Sequence, residues 1–318
     1  MATLITGGSG FIGRNLIAAL HTHREVFGDI INASRRPFSS PFITKSYPCD
    51  IGLPYDHEPE FECLRYIMKT YKPEYIFHLA GKATVKMEGN ESFNILNDNI
   101  LSTQKVCQWS PEGARVVLAS SVIVYGDWMF DAEERPPHLS ATNYKESDRT
   151  EPTSIYGITK RASEGILKHY TSTGRINGVS ARICATVGRG LTHGVVYDFI
   201  EKITNNPILK ALGSRPGSTK PYCYIDDLVN ALLILGMNKR VSGEYNIVPN
   251  DSISIEQVAK SVMRGLNIDR EIAWLGEEAN WKGDNRLISV SNEKMKDLGW
   301  FPKYESSEAI VQAVKDMA

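Results

Sequence analysis

Thr3-Leu4-Ile5-Thr6-Gly7-Gly8-Ser9-Gly10-Phe11-Ile12-Gly13 decides the fold of this chain. A short β-branched and apolar run enters a turn with glycines at 7, 10 and 13, and an amphipathic helical pattern follows over Phe11 to Leu20. Glycines let the backbone turn tightly and approach a pyrophosphate, while the helix N-terminus behind them presents free N–H groups and partial positive charge. A glycine triplet alone is weak evidence, and its bland reading is a structural turn. Its place at a strand-to-helix junction instead points to dinucleotide binding by Gly7, Ser9, Gly10, Phe11, Ile12 and Gly13.

Outward from that turn, short apolar runs alternate with helical patterns. Ile30 to Ala33 follows; then Glu62 to Tyr71 with Tyr75 to Leu79, Asn97 to Trp109 with Arg115 to Ala119, and Tyr156 to Thr171 with Gly178 to Ile183. Parallel strands need crossover connections, so this alternation predicts an α/β protein: a doubly wound parallel sheet of Rossmann type. Past residue 183 the alternation lapses among Gly188, Gly190, Pro207, Gly213, Pro216 and Gly217. The expected organisation is a dinucleotide-binding domain over 1–180 and a smaller substrate-binding lobe over 181–318. A strand-like piece, Glu244 to Val248, is expected to return to the main sheet within 222–252. Gly126 to Thr153 is a long polar loop.

The chain has 318 residues with 36 Lys+Arg against 37 Asp+Glu, a formal charge of -1. No cationic field argues for nucleic acid or an anionic membrane as partner. Five scattered cysteines form no C-x-x-C pair, so neither a metal site nor a redox couple is expected. Met1 leads straight into the first strand without a basic flank, and no apolar stretch has the length of a membrane span, so the expectation is a cytoplasmic protein.

At the end of the second strand an NAD site usually places a carboxylate for the ribose hydroxyls, yet Asn32-Ala33-Ser34-Arg35-Arg36 offers two guanidiniums. Arginine pairs in fork geometry with a 2′-phosphate, so Ser34, Arg35 and Arg36 favour NADP(H), with NAD(H) as the alternative. Asp50-Ile51 suits a carboxylate accepting from the adenine amino group, or else a plain surface turn.

Tyr156-Gly157-Ile158-Thr159-Lys160 sets a phenol and an ammonium on one face of a helix. A free phenol near pKa 10 is a poor base at neutral pH, so the expectation is that Lys160, with an oxidised nicotinamide, stabilises its phenolate. Val116 to Gly126 reads as a buried strand ending in hydroxyls at its C-terminal edge, where Ser121 can donate to a reacting oxygen and Ser120 is the reserve. His78 reads as a structural hydrogen-bonding residue rather than an acid/base.

Together these stretches resemble the extended short-chain dehydrogenase/reductase family, in particular its nucleotide-sugar 4-epimerases. The resemblance covers TGGSGFIG at 6–13, HLAG at 78–81, NDNILSTQ at 97–104, SSVIVYG at 120–126, YGITK at 156–160, VGRGLTHGVVYDFI at 187–200, YIDDLV at 224–229, and WKGDNR and LGWFPKY near the end. It implies a homodimer built on helices around 97–109 and 156–171, and a nucleotide-diphosphate sugar held by the C-terminal lobe. It puts Leu79, Ala80, Gly81 and Asn99 beside the cofactor, assigns the reaction to Ser121, Tyr156 and Lys160, and puts Lys82, Val122, His193, Gly194 and Lys220 at the substrate.

Four departures stand out. Ala185 replaces a usual Asn three residues before Gly188, and Trp281 replaces a frequent Arg three before Asp284, leaving Lys282 or Arg286 to supply the charge. Val122 and Ile123 stand where 4,6-dehydratases carry an Asp-Glu pair, so dehydration is not expected. The loop before Tyr156 is about ten residues longer than in the simplest epimerases. Three functions follow from this reading: C4 epimerisation, NADPH-dependent reduction of a keto-sugar or its reverse, and a non-catalytic sensor or scaffold.

Overall fold

The structure is a computed structural model that describes residues 1–36, 38–53, 58–84, 91–126, 143–276 and 287–317. Its strands are β1 (Ala2–Thr6), β2 (Asp29–Ser34), β3 (Lys45–Pro48), β4 (Tyr75–His78), β5 (Arg115–Ser121), β6 (Asn177–Ile183), β7 (Ala185–Val187), β8 (Ile208–Ala211), β9 (Thr219–Lys220), β10 (Tyr222–Tyr224), β11 (Gly243–Ile247), β12 (Ile253–Ser254) and β13 (Glu271–Trp274). Seven of them form one sheet in the order β11-β6-β5-β4-β1-β2-β3. β1 runs parallel to β2 and β4, β2 to β3, and β4 to β5. This is the doubly wound sheet that the alternation predicts. The strand order reverses at β1, and in open α/β sheets ligands bind beyond the carboxyl ends of the strands at that switch.

Every residue of β1 is buried, as are Ile30 to Ser34 of β2. Strands covered on both faces carry continuous apolar runs rather than alternating ones. Leu4, Ile31, Ile76, Val116 and Leu118 form a core with Leu64, Ile67, Val106 and Leu167 of the helices Glu58–Tyr71, Ser102–Trp109 and Ile155–Ser172. At the amino end of β5 the buried Arg115 ties the returning segment back. Its Nε and Nη2 donate to the Leu235 carbonyl at 2.9 and 2.7 Å, and its Nη1 to that of Val241 at 2.7 Å.

Contacts divide the chain into two compact units. The first holds 1–124, 155–182 and 229–245, and the second 125–154, 183–228 and 246–318. Residues 125–126 and 143–154 thus group with the C-terminal residues, and 229–245 with the N-terminal ones. One reason is local, since Tyr125 stacks on Tyr144 at 4.8 Å and its hydroxyl donates to Asn246 Oδ1 at 2.8 Å. Within the second unit β7 pairs with β10, β9 with β12, and β8 with β13. There the buried Trp300 donates Nε1–H to the Asp227 carbonyl at 2.9 Å, joining the YIDDLV and LGWFPKY stretches. Among the described residues no helix is long and apolar enough to cross a membrane, and no group of side chains is arranged to hold a metal ion.

Candidate active site

The glycine turn is closed by contacts that leave no room for side chains. Gly7 has φ +75°, and a Cβ there would lie 2.7 Å from the Ala80 nitrogen. A Cβ on Gly13 would lie 2.5 Å from the Gly7 carbonyl oxygen, so the helix Phe11–Thr22 starts directly against the turn. No side chain caps that helix at Gly10, and no acidic residue occupies its first turn. Uncapped N–H groups without a competing carboxylate suit a diphosphate, so these residues fit a dinucleotide. Phe11 and Ile12 are half-buried in the first turn, and Ser9 N–H donates to Ser34 Oγ at 3.3 Å.

Beyond β2, Arg35 and Arg36 are exposed. Arg35 is not simply solvated: its Nη1 lies 3.2 Å from Asp98 Oδ2. Asp50 closes its own turn by accepting from Gly52 N–H at 3.1 Å. Beneath the turn the buried Lys105 Nζ donates to the Ile51 carbonyl at 3.2 Å and to that of Leu53. Burial lowers the Lys105 pKa, and Asp50 raises it in part. No sequence signal marked Lys105, because a lysine on an amphipathic helix ordinarily faces water.

A layer of polar side chains lies under the sheet's carboxyl edge. His78 is buried, with Nδ1 2.7 Å from Thr6 Oγ1 and Nε2 3.2 Å from Thr103 Oγ1. Burial, aided by the charge of Lys160, pushes its pKa down to about 3, so it stays neutral. Asn99 lies in a π-helical turn, Asn97–Leu101. It accepts from Lys82 N–H at 2.8 Å and donates to Thr159 Oγ1 at 2.8 Å. A Cβ on Gly81 would meet Asn99 Oδ1 at 2.6 Å and Lys160 Nζ at 3.3 Å, so the 79–82 segment is threaded closely past both.

The side chains that the sequence singles out for the reaction converge at the end of β5. Ser121 accepts from Ile123 N–H at 3.4 Å and is hydrogen-bonded to the Tyr156 phenol. Ser120 points to the opposite face, where it donates to Glu164 Oε1 at 2.6 Å. Alternation along the strand therefore puts Ser121, and not Ser120, on the face that Tyr156 occupies. Glu164 also receives Arg182 Nε and Nη2, each at 2.9 Å, which locks the Ile155–Ser172 helix to β5 and β6. No sequence signal marks Glu164 and Arg182 as this brace, since both look like ordinary surface charges.

Burial raises the Tyr156 pKa, opposed by the Ser121 hydrogen bond, so the resting side chain is the neutral phenol. Lys160 does not offset this: its Nζ sits 5.9 Å from the Tyr156 ring centroid and donates to the Ala119 carbonyl at 2.8 Å. Burial lowers its own pKa to about 8, while Glu164 one turn on pulls it back up.

The remaining residues divide between the units. Lys82 and the buried Val122 belong to the first. In the second, Ala185 is exposed at the start of β7, Lys220 is half-buried in β9, and His193 is exposed with Nδ1 3.2 Å from Thr192 Oγ1. Gly194, at φ +99°, precedes the helix Val195–Asn205. Trp281, Lys282 and Arg286 lie outside the described residues.

The chain is 25% identical to the Escherichia coli dTDP-4-dehydro-6-deoxyglucose reductase, over 99% of its own length and 96% of the relative's. It is 25% identical to the UDP-glucose 4-epimerase of Halalkalibacterium halodurans, over 98% and 94%. The solved structure of the Thermus thermophilus UDP-glucose 4-epimerase in complex with NAD superposes with a TM-score of 0.80 at 22% identity, covering 99% of this chain and 98% of that one. At that identity the likeness speaks for the fold. Residues 3–248, from the first strand through the glycine turn and the Tyr156 helix to β11, match the NAD-dependent epimerase/dehydratase family, and the chain belongs to it.

Proposed function

We propose that this chain epimerises a nucleotide-diphosphate hexose at C4 through a transient 4-keto intermediate. The observation that carries the reading is the convergence of Ser121, Tyr156 and Lys160 beside a glycine turn that fits a dinucleotide. A nicotinamide held by this turn would supply reversible hydride transfer at that carbon. Tyr156 takes the hydroxyl proton as the carbon is oxidised and gives it back on reduction. Ser121, already bonded to the phenol, donates to the same oxygen, and Lys160 holds the nicotinamide ribose. On Arg35 and Arg36 the cofactor is read as NADP(H), with NAD(H) the alternative. The protein is further read as a homodimer along 97–109 and 156–171, consistent with Ile155 and Ile158 being 41% and 47% exposed on that helix.

A second reading has its own support. The neutral resting phenol is the proton donor that reduction of a keto-sugar requires, and NADPH is a reducing cofactor. Denaturing the purified protein and assaying the supernatant for nicotinamide cofactor separates the two. Stoichiometric release with interconversion of UDP- or dTDP-hexose C4 epimers supports the epimerase. An empty site that consumes NADPH with a 4-keto-sugar supports the reductase. Tyr156→Phe is expected to lower turnover by about 10² to 10⁴-fold with cofactor affinity retained; unchanged turnover would remove the catalytic assignment.

A further inference from the structure

The ribose corner of the proposed cofactor site contains a carboxylate that the end of β2 lacks. It comes from Asp98, more than sixty residues away in sequence, on the π-helical turn Asn97–Leu101. Wider turns of this kind are frequent at functional sites. Here the widened turn aims successive side chains apart: Asn99 toward Lys82 and Thr159, Asp98 toward Arg35. Asp98 is held from behind, because a Cβ on Gly52 would lie 2.6 Å from its Oδ1. Its side chain is 12% exposed, whereas that of Arg35 is 57% exposed.

The bond geometry is lopsided. Arg35 offers only Nη1 to Asp98, at 3.2 Å from Oδ2 and 3.5 Å from Oδ1, so the remainder of its fork is open. A 2′-phosphate carries about two negative charges at neutral pH and prefers that fork bidentately. Arg35 and Lys82 attract the Asp98 charge and Asp50 repels it. Two cations, Arg35 and Lys82, and two carboxylates, Asp98 and Asp50, thus share the corner. A phosphate entering there meets the repulsion of Asp98 as well as the attraction of Arg35, whereas a plain 2′-hydroxyl meets neither strongly.

We propose that Asp98 is a specificity-determining residue whose carboxylate competes with the 2′-phosphate of NADP(H) for Arg35 and so sets the preference between the two nicotinamide cofactors. This rests on the reading that the glycine turn binds a nicotinamide dinucleotide, and it names the residue that tunes it. Burial raises the Asp98 pKa against the pull of Arg35.

Equilibrium titration with NADPH and with NADH, followed by nicotinamide fluorescence, tests the proposal on the full chain and on Asp98→Asn, Arg35→Ser and the double variant. Asp98→Asn is expected to tighten NADPH binding by about tenfold while NADH changes less than about threefold. In the Arg35→Ser background the same substitution is expected to gain nothing for NADPH. An unchanged NADPH-to-NADH ratio in Asp98→Asn overturns the proposal. An equal gain without Arg35 also overturns it, since that is a general charge effect. Loss of both cofactors in Asp98→Asn overturns it too, because Asp98 would then support the turn itself. Failure of the unsubstituted protein to bind either cofactor sinks the dinucleotide reading instead.

Discussion

Two ion pairs in the N-terminal unit differ in almost every physical respect. Glu164 and Arg182 are 0% and 3% exposed, meet through two 2.9 Å bonds, and share Glu164 with Ser120. Arg35 and Asp98 are 57% and 12% exposed and meet through one nitrogen at 3.2 Å. The first pair joins a helix to two strands, out of water, where a half-satisfied network would be costly. The second joins a turn to a strand end within reach of solvent, where a competitor can displace it. A brace and a tuning element are thus made from the same two functional groups, and water decides which is which.

The comparison breaks most visibly at Glu164. Glu164→Gln leaves Arg182 buried without its counter-charge, and chemical denaturation is expected to show a loss of roughly 3 to 5 kcal/mol. A loss below about 1 kcal/mol would place this pair in the same class as Arg35 and Asp98. The next effect concerns Lys160, which the brace holds one turn away. Its folded pKa of about 8 lies below the ordinary 10.5, so between those pH values the unfolded chain binds more protons than the folded one. Stability conferred at this site therefore rises with pH across that window, and below it the buried charge carries its full penalty. Unfolding free energies of the unsubstituted protein minus those of Lys160→Met are expected to climb by roughly 3 kcal/mol from pH 8 to 10.5. A flat difference would mean that the Lys160 ammonium is well solvated.

The same contrast explains what the sequence discloses. The glycine turn, the alternation of strands and helices and the Tyr156–Lys160 spacing are local patterns, fixed by chain geometry over a few residues. They point directly to the sheet and to the candidate side chains Ser121, Tyr156 and Lys160. The Arg35–Asp98 pair spans two distant elements and a π-helical turn with no sequence signature. Glu164, Arg182 and Lys105 are charged residues in amphipathic elements, and only the fold reveals that they face inward. For the same reason spacing puts Tyr156 and Lys160 on one face but does not show that burial raises the Tyr156 pKa or that Lys160 Nζ donates to the Ala119 carbonyl. In the second unit Lys220, His193 and Gly194 rest on the family resemblance alone, since no period or spacing singles them out.

The smallest effect is the sharpest test of the comparison. Asp98→Asn removes a surface ion pair, and exposed pairs contribute about 0 to 1 kcal/mol. Burial raises the Asp98 pKa, so at neutral pH its ionised form is disfavoured in the folded chain, and neutralising it removes that penalty along with the attraction of Arg35. The two contributions oppose one another. Unfolding free energy at pH 7 is therefore expected to change by less than about 1 kcal/mol in either direction. A loss of about 2 kcal/mol or more, near that of Glu164→Gln, would mean that Asp98 braces the π-helical turn, and a residue needed for the fold has little freedom to yield Arg35 to a ligand.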